Sequence, residues 1–385
     1  MKKVLATVLA LVLALGLCSV SWAANPDLPP ADENGVITLT DDVVLTAGKE
    51  INKEGTTQVT KIDLGGHKLS RAGGFVLDIY GDVTITNGTI EMTGAKKSGS
   101  AIWINNGAKV TIDSSVEVRA TGSSTGETSF AIALDGSCDG AALTFNGTIT
   151  GENGVTINGN ITENTNKISV NGTIDVTELA LYLAGNGTTD INNGASLKGD
   201  VGVEIRAGVL NINGGTITST GANYKVTSNP GGATTTGAAL AVAEHITNRG
   251  VTVNINGGTI TNAAGGKAIS MANPEEKEEA KGANVSVNGG TISGDVKVGE
   301  NVKSTVEGKE PLTVSGDYNM TKDSEGNYTI AKKPTSYYYY SPSTTTSDTT
   351  TKGSPKTFDA GVGIYAVTAV LSVTGMAWTA KKRGN

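Results

Sequence analysis

Residues 253–261 read VNINGGTIT, and the architecture of the chain depends on this pattern. Apolar residues alternate with polar ones on both sides of an Asn-Gly corner, so the pattern predicts a strand, a sharp bend and a second strand. Related phrases recur at residues 83–90, 143–149, 168–174, 210–217 and 285–292. Strands this short bury little apolar surface alone, whereas stacked copies bury a continuous core, so the repeats predict a solenoid.

The spacing of the corners gives the length of one coil. Corner asparagines lie at residues 87, 146, 171, 193, 213, 256 and 288, the one at 193 in a degenerate copy. Steps of 25, 22 and 20 residues fit single coils of a parallel β-helix, and the later steps of 43 and 32 fit coils with inserts. The long gap after Asn87 contains a further predicted coil at 110–118, where Asp-Ser-Ser replaces Asn-Gly. Stacked corner amides are expected to hydrogen-bond from coil to coil.

Each coil needs a third strand, and candidates follow the bends at residues 101–104, 131–134, 155–157, 181–183, 203–205, 240–242 and 269–271. Side chains alternate along a strand, so inward aliphatic residues leave one outer column. That outer column is Trp103, Ala133, Thr156, Tyr182, Glu204, Ala241 and Ser270. Trp103 and Tyr182 are about three coils apart, roughly 14 Å at ~4.8 Å per coil, which suits a stacking platform for sugar rings. The alternative is two isolated surface aromatics partly covered by loops.

A family resemblance begins at residues 62–69, IDLGGHKL. This segment resembles the LDLNGHTL opening coil of right-handed parallel β-helix repeat proteins related in fold to pectate lyases. The resemblance covers about residues 36–298 and implies an all-β fold, a single-stranded, right-handed parallel β-helix. It does not select an activity, because such coils occur in enzymes, adhesins and structural surface proteins alike.

The N-terminus predicts export. Residues 1–24 combine two lysines, an apolar run at 4–17 and the small residues Ser21, Ala23 and Ala24 at plausible cleavage positions, the pattern of a secretory signal peptide. The alternatives are a membrane helix and a lipoprotein at Cys18. The formal charge is −7. Loss of the signal peptide and the C-terminal tail removes five basic residues and one acidic residue, which leaves 25 basic and 36 acidic residues, or −11. This charge disfavours nucleic acid and anionic lipid as partners.

The C-terminus predicts attachment to the cell surface. The motif SPKTFD at 354–359 precedes an apolar run at 360–380 and the basic residues 381–383. Such a run is roughly 31 Å long as a helix, enough to cross a bilayer with the basic cluster on the cytoplasmic side. The order resembles the LPXTG-type cell-wall sorting signal of Gram-positive surface proteins. The resemblance implies that a sortase recognises Ser354, Pro355, Lys356 and Thr357, cleaves before Phe358 and joins the protein to peptidoglycan. The alternative is a plain tail anchor.

These segments define the predicted organisation: signal peptide 1–24, linker 25–35, parallel β-helix 36–302, capping hairpin 303–333, disordered Ser/Thr/Tyr-rich spacer 334–353, and sorting signal 354–385 with its transmembrane helix at 360–380. Two inserts, at 218–237 and 272–281, are expected to project from the barrel. Cys138 would be alone after removal of the signal peptide, so no disulfide framework is predicted.

Residues suited to catalysis are sparse. The two histidines, His67 and His245, do not have the spacing of a zinc site, and His67 is expected to stabilise a turn. We predict no metal, no cofactor and no catalytic residue. Arg206 beside Glu204 is the best candidate base, although an exposed ion pair is the commoner explanation.

The sequence therefore predicts a secreted, cell-wall-anchored surface protein with a non-catalytic adhesin or glycan-contact role, carried by Trp103, Tyr182, Glu204 and Arg206. The expected partners are sortase, peptidoglycan, and a host or environmental polysaccharide or surface protein. The membrane is a partner through the C-terminal helix before cleavage. The alternatives are a surface polysaccharide lyase or glycoside hydrolase, and a passive envelope spacer.

Overall fold

The computed structural model describes residues 27–94, 99–105, 107–121, 129–135, 139–161, 163–229, 232–243, 250–273 and 281–334. The predicted signal peptide, the sorting signal with its transmembrane helix, spacer residues 335–353, Cys138 and His245 lie outside these ranges. None of the described residues belongs to a helix long and apolar enough to cross a bilayer.

Regular structure in the described ranges consists of short β-strands. In chain order they are Val36–Thr38 (β1), Val43–Leu45 (β2), Lys49–Ile51 (β3), Lys61–Asp63 (β4), Lys68–Ala72 (β5), Phe75–Ile79 (β6), Val83–Thr86 (β7), Gly88–Thr93 (β8), Gly99–Ile104 (β9), Lys109–Ile112 (β10), Val116–Ala120 (β11), Ser129–Leu134 (β12), Ala142–Phe145 (β13), Thr148–Gly151 (β14), Asn153–Ile157 (β15), Lys167–Val170 (β16), Thr173–Val176 (β17), Leu179–Leu183 (β18), Thr188–Ile191 (β19), Ser196–Gly199 (β20), Val201–Ile205 (β21), Gly208–Ile212 (β22), Thr216–Ser219 (β23), Lys225–Asn229 (β24), Gly232–Thr236 (β25), Ala238–Ala243 (β26), Val251–Ile255 (β27), Thr259–Asn262 (β28), Lys267–Ala272 (β29), Ala283–Val287 (β30), Thr291–Ser293 (β31), Val296–Val298 (β32), Leu312–Val314 (β33), Tyr318–Lys322 (β34) and Asn327–Lys332 (β35).

The strands form three long sheets that the chain visits in turn. Sheet 1 has the order β1-β4-β7-β10-β13-β16-β19-β22-β27-β30-β33, and sheet 2 has the order β2-β5-β8-β11-β14-β17-β20-β23-β28-β31. Sheet 3 has the order β3-β6-β9-β12-β15-β18-β21-β26-β29-β32-β35-β34. Coil-to-coil pairing is parallel up to β33, past residue 302, where the sequence placed the end of the solenoid. This is the architecture of a parallel β-helix, as the repeats predict.

Aliphatic side chains from all three sheets fill the interior. One column of sheet 1 runs in register through Ile62, Ile85, Ile112, Phe145, Val170, Ile191, Ile212, Ile255 and Val287. Each of these side chains is buried. Burying a side chain of this size contributes roughly 1.5–3 kcal/mol, so the stacked columns are the main source of stability.

The corner amides form the predicted ladder. Each Nδ2 donates to the Oδ1 of the preceding coil over 2.8–3.4 Å, through Asn146, Asn171, Asn192, Asn213, Asn256 and Asn288. The prediction that Asn193 holds the fourth corner is wrong: Ile191 pairs with Val170, so Asn192 is the residue that follows the strand. Asn87 also lies outside the row; it has φ +60° and donates to Asp63 Oδ1 over 3.0 Å.

Both ends of the described solenoid are covered. The N-terminal segment 27–35 contains no strand, as predicted, but Leu28 and Ala31 pack against the core. At the other end, β34 and β35 pair antiparallel, and β35 joins sheet 3 through β32. Tyr318 contributes to the core, and its hydroxyl donates to the carbonyl of Gly290 over 2.8 Å.

The insert at 218–237 does not project from the barrel, so that prediction is wrong. Its strands β24 and β25 form an antiparallel hairpin that lies on the outer face of sheet 3. Small apolar side chains hold it there, because Val226 packs with Ala233, Ala243 and Ala272. Most of the second insert, residues 274–280, lies outside the described ranges.

Candidate functional site

Sheet 3 places the predicted outer column in register. Trp103, Ala133, Thr156, Tyr182, Glu204, Ala241 and Ser270 pair from coil to coil, with Asp78 before them and Lys297 after them. The strands of this sheet therefore bring together side chains that are about 20 to 40 residues apart in sequence.

A groove of about 490 Å³ runs along this face. This volume lies within the usual range for small-molecule sites. All four residues predicted for glycan contact line it: Trp103, Tyr182, Glu204 and Arg206. Ala133 and Thr156 occupy the outer column between Trp103 and Tyr182 and also line the groove.

Aromatic rings stand at both ends of this stretch of the outer column. The ring of Trp103 lies 5.2 Å from that of Phe75, and the ring of Tyr182 lies 5.9 Å from that of Phe130 in a stacked arrangement. Arg206 places its Cζ 5.0 Å from the centroid of Tyr182. Phe130 comes from an earlier coil than Tyr182 and Arg206 from the next one, so the tyrosine ring is held between them.

Phe130 is a groove residue that the sequence analysis missed. Strict alternation from Ile132 and Leu134 would place Phe130 inside the barrel, but Ala131 and Ile132 both belong to the core and Phe130 does not. The alternation is broken because two successive residues at this bend face inward. A signal existed in the sequence: the large apolar residues Phe75, Phe130 and Leu179 stand three residues before Asp78, Ala133 and Tyr182, which share one register position.

Glu204 and Arg206 are buried, with exposed fractions of 1% and 7%, so the expectation of an exposed ion pair is wrong. The reason is the hairpin β24–β25, whose Thr234 Oγ1 accepts a hydrogen bond of 3.2 Å from Arg206 Nη2. Burial raises the pKa of Glu204, and the charge of Arg206 and its hydrogen bond to Glu204 oppose this shift. Burial also raises the pKa of Tyr182.

Two further carboxylates lie on the same face. Asp135 lines the groove. Asp78 is buried beside Trp103, accepts hydrogen bonds from the hydroxyl of Tyr80 and from Asn105 Nδ2, and has its pKa raised by burial. His67, in contrast, lies in the turn between β4 and β5 with Nδ1 3.6 Å from Asp42 Oδ1, where the sequence analysis expected a turn residue.

The groove thus combines rigid aromatic surface with polar groups of both kinds. Arg206 supplies a charged donor, Asp135 a charged acceptor, and Thr156 and Asn158 neutral groups. Such a lining suits a ligand with apolar faces and a polar rim.

Comparison with known proteins gives no match among family models, curated proteins or solved structures.

Proposed function

We propose that the protein is an exported, right-handed β-helix held on the outer surface of the cell, and that its groove binds a glycan without cleaving it. The observation that carries this proposal is the groove on sheet 3, in which Trp103, Phe130 and Tyr182 surround a floor of small residues. Sugar rings present C–H faces and a rim of hydroxyl groups, so they match such a lining.

Aromatic residues are suited to this role for a physical reason. Trp and Tyr offer a large, rigid contact area and lose little conformational entropy on binding. Here the rings are already ordered by their neighbours, Trp103 by Phe75 and Tyr182 by Phe130 and Arg206. A preorganised groove costs less to occupy than one that must assemble around its ligand.

Surface attachment is the second part of the proposal, and the sequence patterns support it. The signal peptide at 1–24 would export the chain, and sortase would act on Ser354, Pro355, Lys356, Thr357 and Phe358. We expect Thr357→Ala to abolish the peptidoglycan-linked form in a cell fractionation experiment. Recovery of intact wild-type protein by detergent alone would instead favour the tail anchor.

The second candidate function is a polysaccharide lyase or glycoside hydrolase. The observation in its favour is that the groove contains two carboxyl groups, Glu204 and Asp135, and that burial raises the pKa of Glu204. General acids often have a raised pKa. Against it, Glu204 Oε1 accepts a hydrogen bond from Arg206 Nε and lies 2.6 Å from Nη2, contacts that stabilise the ionised form, and only 1% of Glu204 is exposed.

Binding of defined oligosaccharides to the full-length chain, purified in detergent, tests the glycan role. The probes are cello-, malto-, chito- and galacturonan oligosaccharides of two to eight units, measured by calorimetry. We expect at least one series to bind and Trp103→Ala and Phe130→Ala each to weaken it by about tenfold, roughly 1.4 kcal/mol. Tyr328→Ala, outside the groove, is the matched control.

The same samples separate binding from catalysis. We expect the oligosaccharides to be recovered unchanged after prolonged incubation. New reducing ends or unsaturated products would support the enzyme instead, and the absence of binding in all four series would contradict the glycan role for these classes.

A further inference from the structure

The outer column of sheet 3 is open in its first half and covered in its second. Trp103, Ala133 and Tyr182 are half-buried and Thr156 between them is 9% exposed, whereas the next three members, Glu204, Ala241 and Ser270, have exposed fractions of at most 1%. The change occurs where the hairpin β24–β25 lies across the sheet.

Contacts along the hairpin fix it to the barrel. The hydroxyl of Tyr224 shares a hydrogen bond of 3.0 Å with Ser270 Oγ, and Lys267 Nζ lies 5.7 Å from the centroid of the Tyr224 ring. Where the hairpin returns to the barrel, the amide of Gly237 donates to Asp200 Oδ2 over 3.3 Å, and Asn262 Nδ2 donates to the carbonyl of Gly237 over 3.1 Å. These contacts fix the hairpin on the outer face of sheet 3.

The hairpin also borders the groove directly. Thr234 lines the groove and accepts the hydrogen bond from Arg206, which in turn lies over Tyr182. A long chain lying along the outer column from Trp103 would therefore meet the hairpin just after Tyr182. The groove is closed at this end.

We infer that the groove receives the end of a glycan chain. This inference rests on the proposed glycan role and adds which part of the glycan is recognised. The terminal unit lies against Tyr182 and Arg206, and the following units extend over Thr156 and Ala133 towards Trp103. The span from Trp103 to Tyr182 is roughly 14 Å at ~4.8 Å per coil, enough for a few sugar units.

The test uses the wild-type chain and the oligosaccharide series that binds it. For chains of two to eight units, we expect the molar Kd to level off once the groove is filled and the stoichiometry to stay at one protein per oligosaccharide. A methyl group on the terminal hydroxyls at one end should weaken binding by about a hundredfold, while the same group at the other end should change Kd less than twofold.

Several outcomes would overturn the inference. One is that the number of proteins bound to each chain of the corresponding polysaccharide rises with chain length. Another is that methyl groups at either end of the oligosaccharide change Kd by the same factor. Either result leaves the glycan role intact, because binding still occurs and still depends on Trp103. The absence of binding in every series would remove both proposals together.

Removal of the hairpin gives a second test. Deleting residues 221–237 joins Ser219 to Ala238 through Thr220 alone, the same one-residue link that Asp200 makes between β20 and β21. If this variant keeps the β-sheet circular dichroism of the wild type, we expect it to bind internal segments, with several proteins on one polysaccharide. If the folded variant still binds with only one protein on each polysaccharide chain, closure by the hairpin is contradicted. If the variant does not fold, the oligosaccharides methylated at one end remain the decisive test.

Discussion

Arg206 and Glu204 form a buried ion pair in which two guanidinium nitrogens contact a single carboxylate oxygen. Glu204 Oε1 lies 2.7 Å from Arg206 Nε and 2.6 Å from Nη2. Both side chains come from the coil that the hairpin covers, so water screens their charges little. Removing one partner of such a pair leaves an uncompensated buried charge, whereas removing both leaves none.

We therefore predict that Arg206→Met lowers the free energy of unfolding by about 3–5 kcal/mol, and that adding Glu204→Leu restores most of the loss. Urea denaturation monitored by circular dichroism measures both effects. Lys198→Met is the matched control, because the Lys198–Asp175 pair is exposed and should be worth less than about 1 kcal/mol. If Arg206→Met and Lys198→Met lower the free energy of unfolding by similar amounts, burial of the ion pair is unimportant for its contribution.

Asp63 should make the protein sensitive to acid. Its carboxylate accepts hydrogen bonds from Lys61 Nζ, Asn87 Nδ2 and the amide of Gly65. With the Lys61 contact as the largest cause, these bonds lower the pKa of Asp63 from 3.8 to about 2. A lowered pKa in the folded state stabilises the fold above the unfolded pKa, and this contribution is lost as the pH falls from about 4 towards 2.

The variant Asp63→Asn tests this sign. Its Tm should lie below that of the wild type above pH 4, and the two Tm values should converge as the pH approaches 2. A constant difference across this window would mean that the carboxylate charge does not stabilise the fold.

Asparagines in the middle of the ladder should contribute more to the free energy of unfolding than those at its ends. Asn171 both donates to Asn146 and accepts from Asn192, so Asn171→Ala removes two bonds and should cost about 1–3 kcal/mol. Asn288→Ala removes the terminal bond to Asn256 and should cost about half as much. Chemical denaturation compares the two, and equal costs would argue against an energetic role for the ladder.

The corner glycines allow close stacking of coils. A Cβ added at Gly172 would overlap the carbonyl oxygen of Gly147 in the preceding coil. Gly172→Ala should therefore destabilise the protein by about 1–3 kcal/mol or more, because the backbone must shift. Gly316→Ala is the control, since an added Cβ there meets open space. A thermal melt that does not distinguish the variants would contradict tight corner stacking.

Periodicity explains why much of the fold was predictable. The alternation around residues such as Ile255 and Ile260 specifies two strands and a corner, and repetition multiplies that signal through the chain. The outer column from Trp103 to Ser270 followed from the same period of two. It failed at Phe130, where a bend puts two successive residues inside, and at Asn193, where the corner starts one residue earlier.

The candidate site was only partly predictable from the sequence. The burial of Glu204 and Arg206 depends on the inserted hairpin and not on the repeat that specifies the coils. Glu204 occupies the same register position as the half-buried Tyr182, and only the hairpin makes its environment different. The Thr-rich composition of residues 218–237 suggested an exposed loop, since no strong apolar pattern marks its contact with the barrel. A few alanines and single hydrogen bonds were sufficient to dock it.

The ladder bond from Asn256 to Asn213 is 3.1 Å long, although the chain between them is about twice as long as between Asn213 and Asn192. Coil stacking is thus insensitive to how much polypeptide leaves and returns between two rungs. Evolution can vary the sequence and length of the hairpin while the scaffold beneath it is preserved. The same position is a natural place to graft foreign peptides for display.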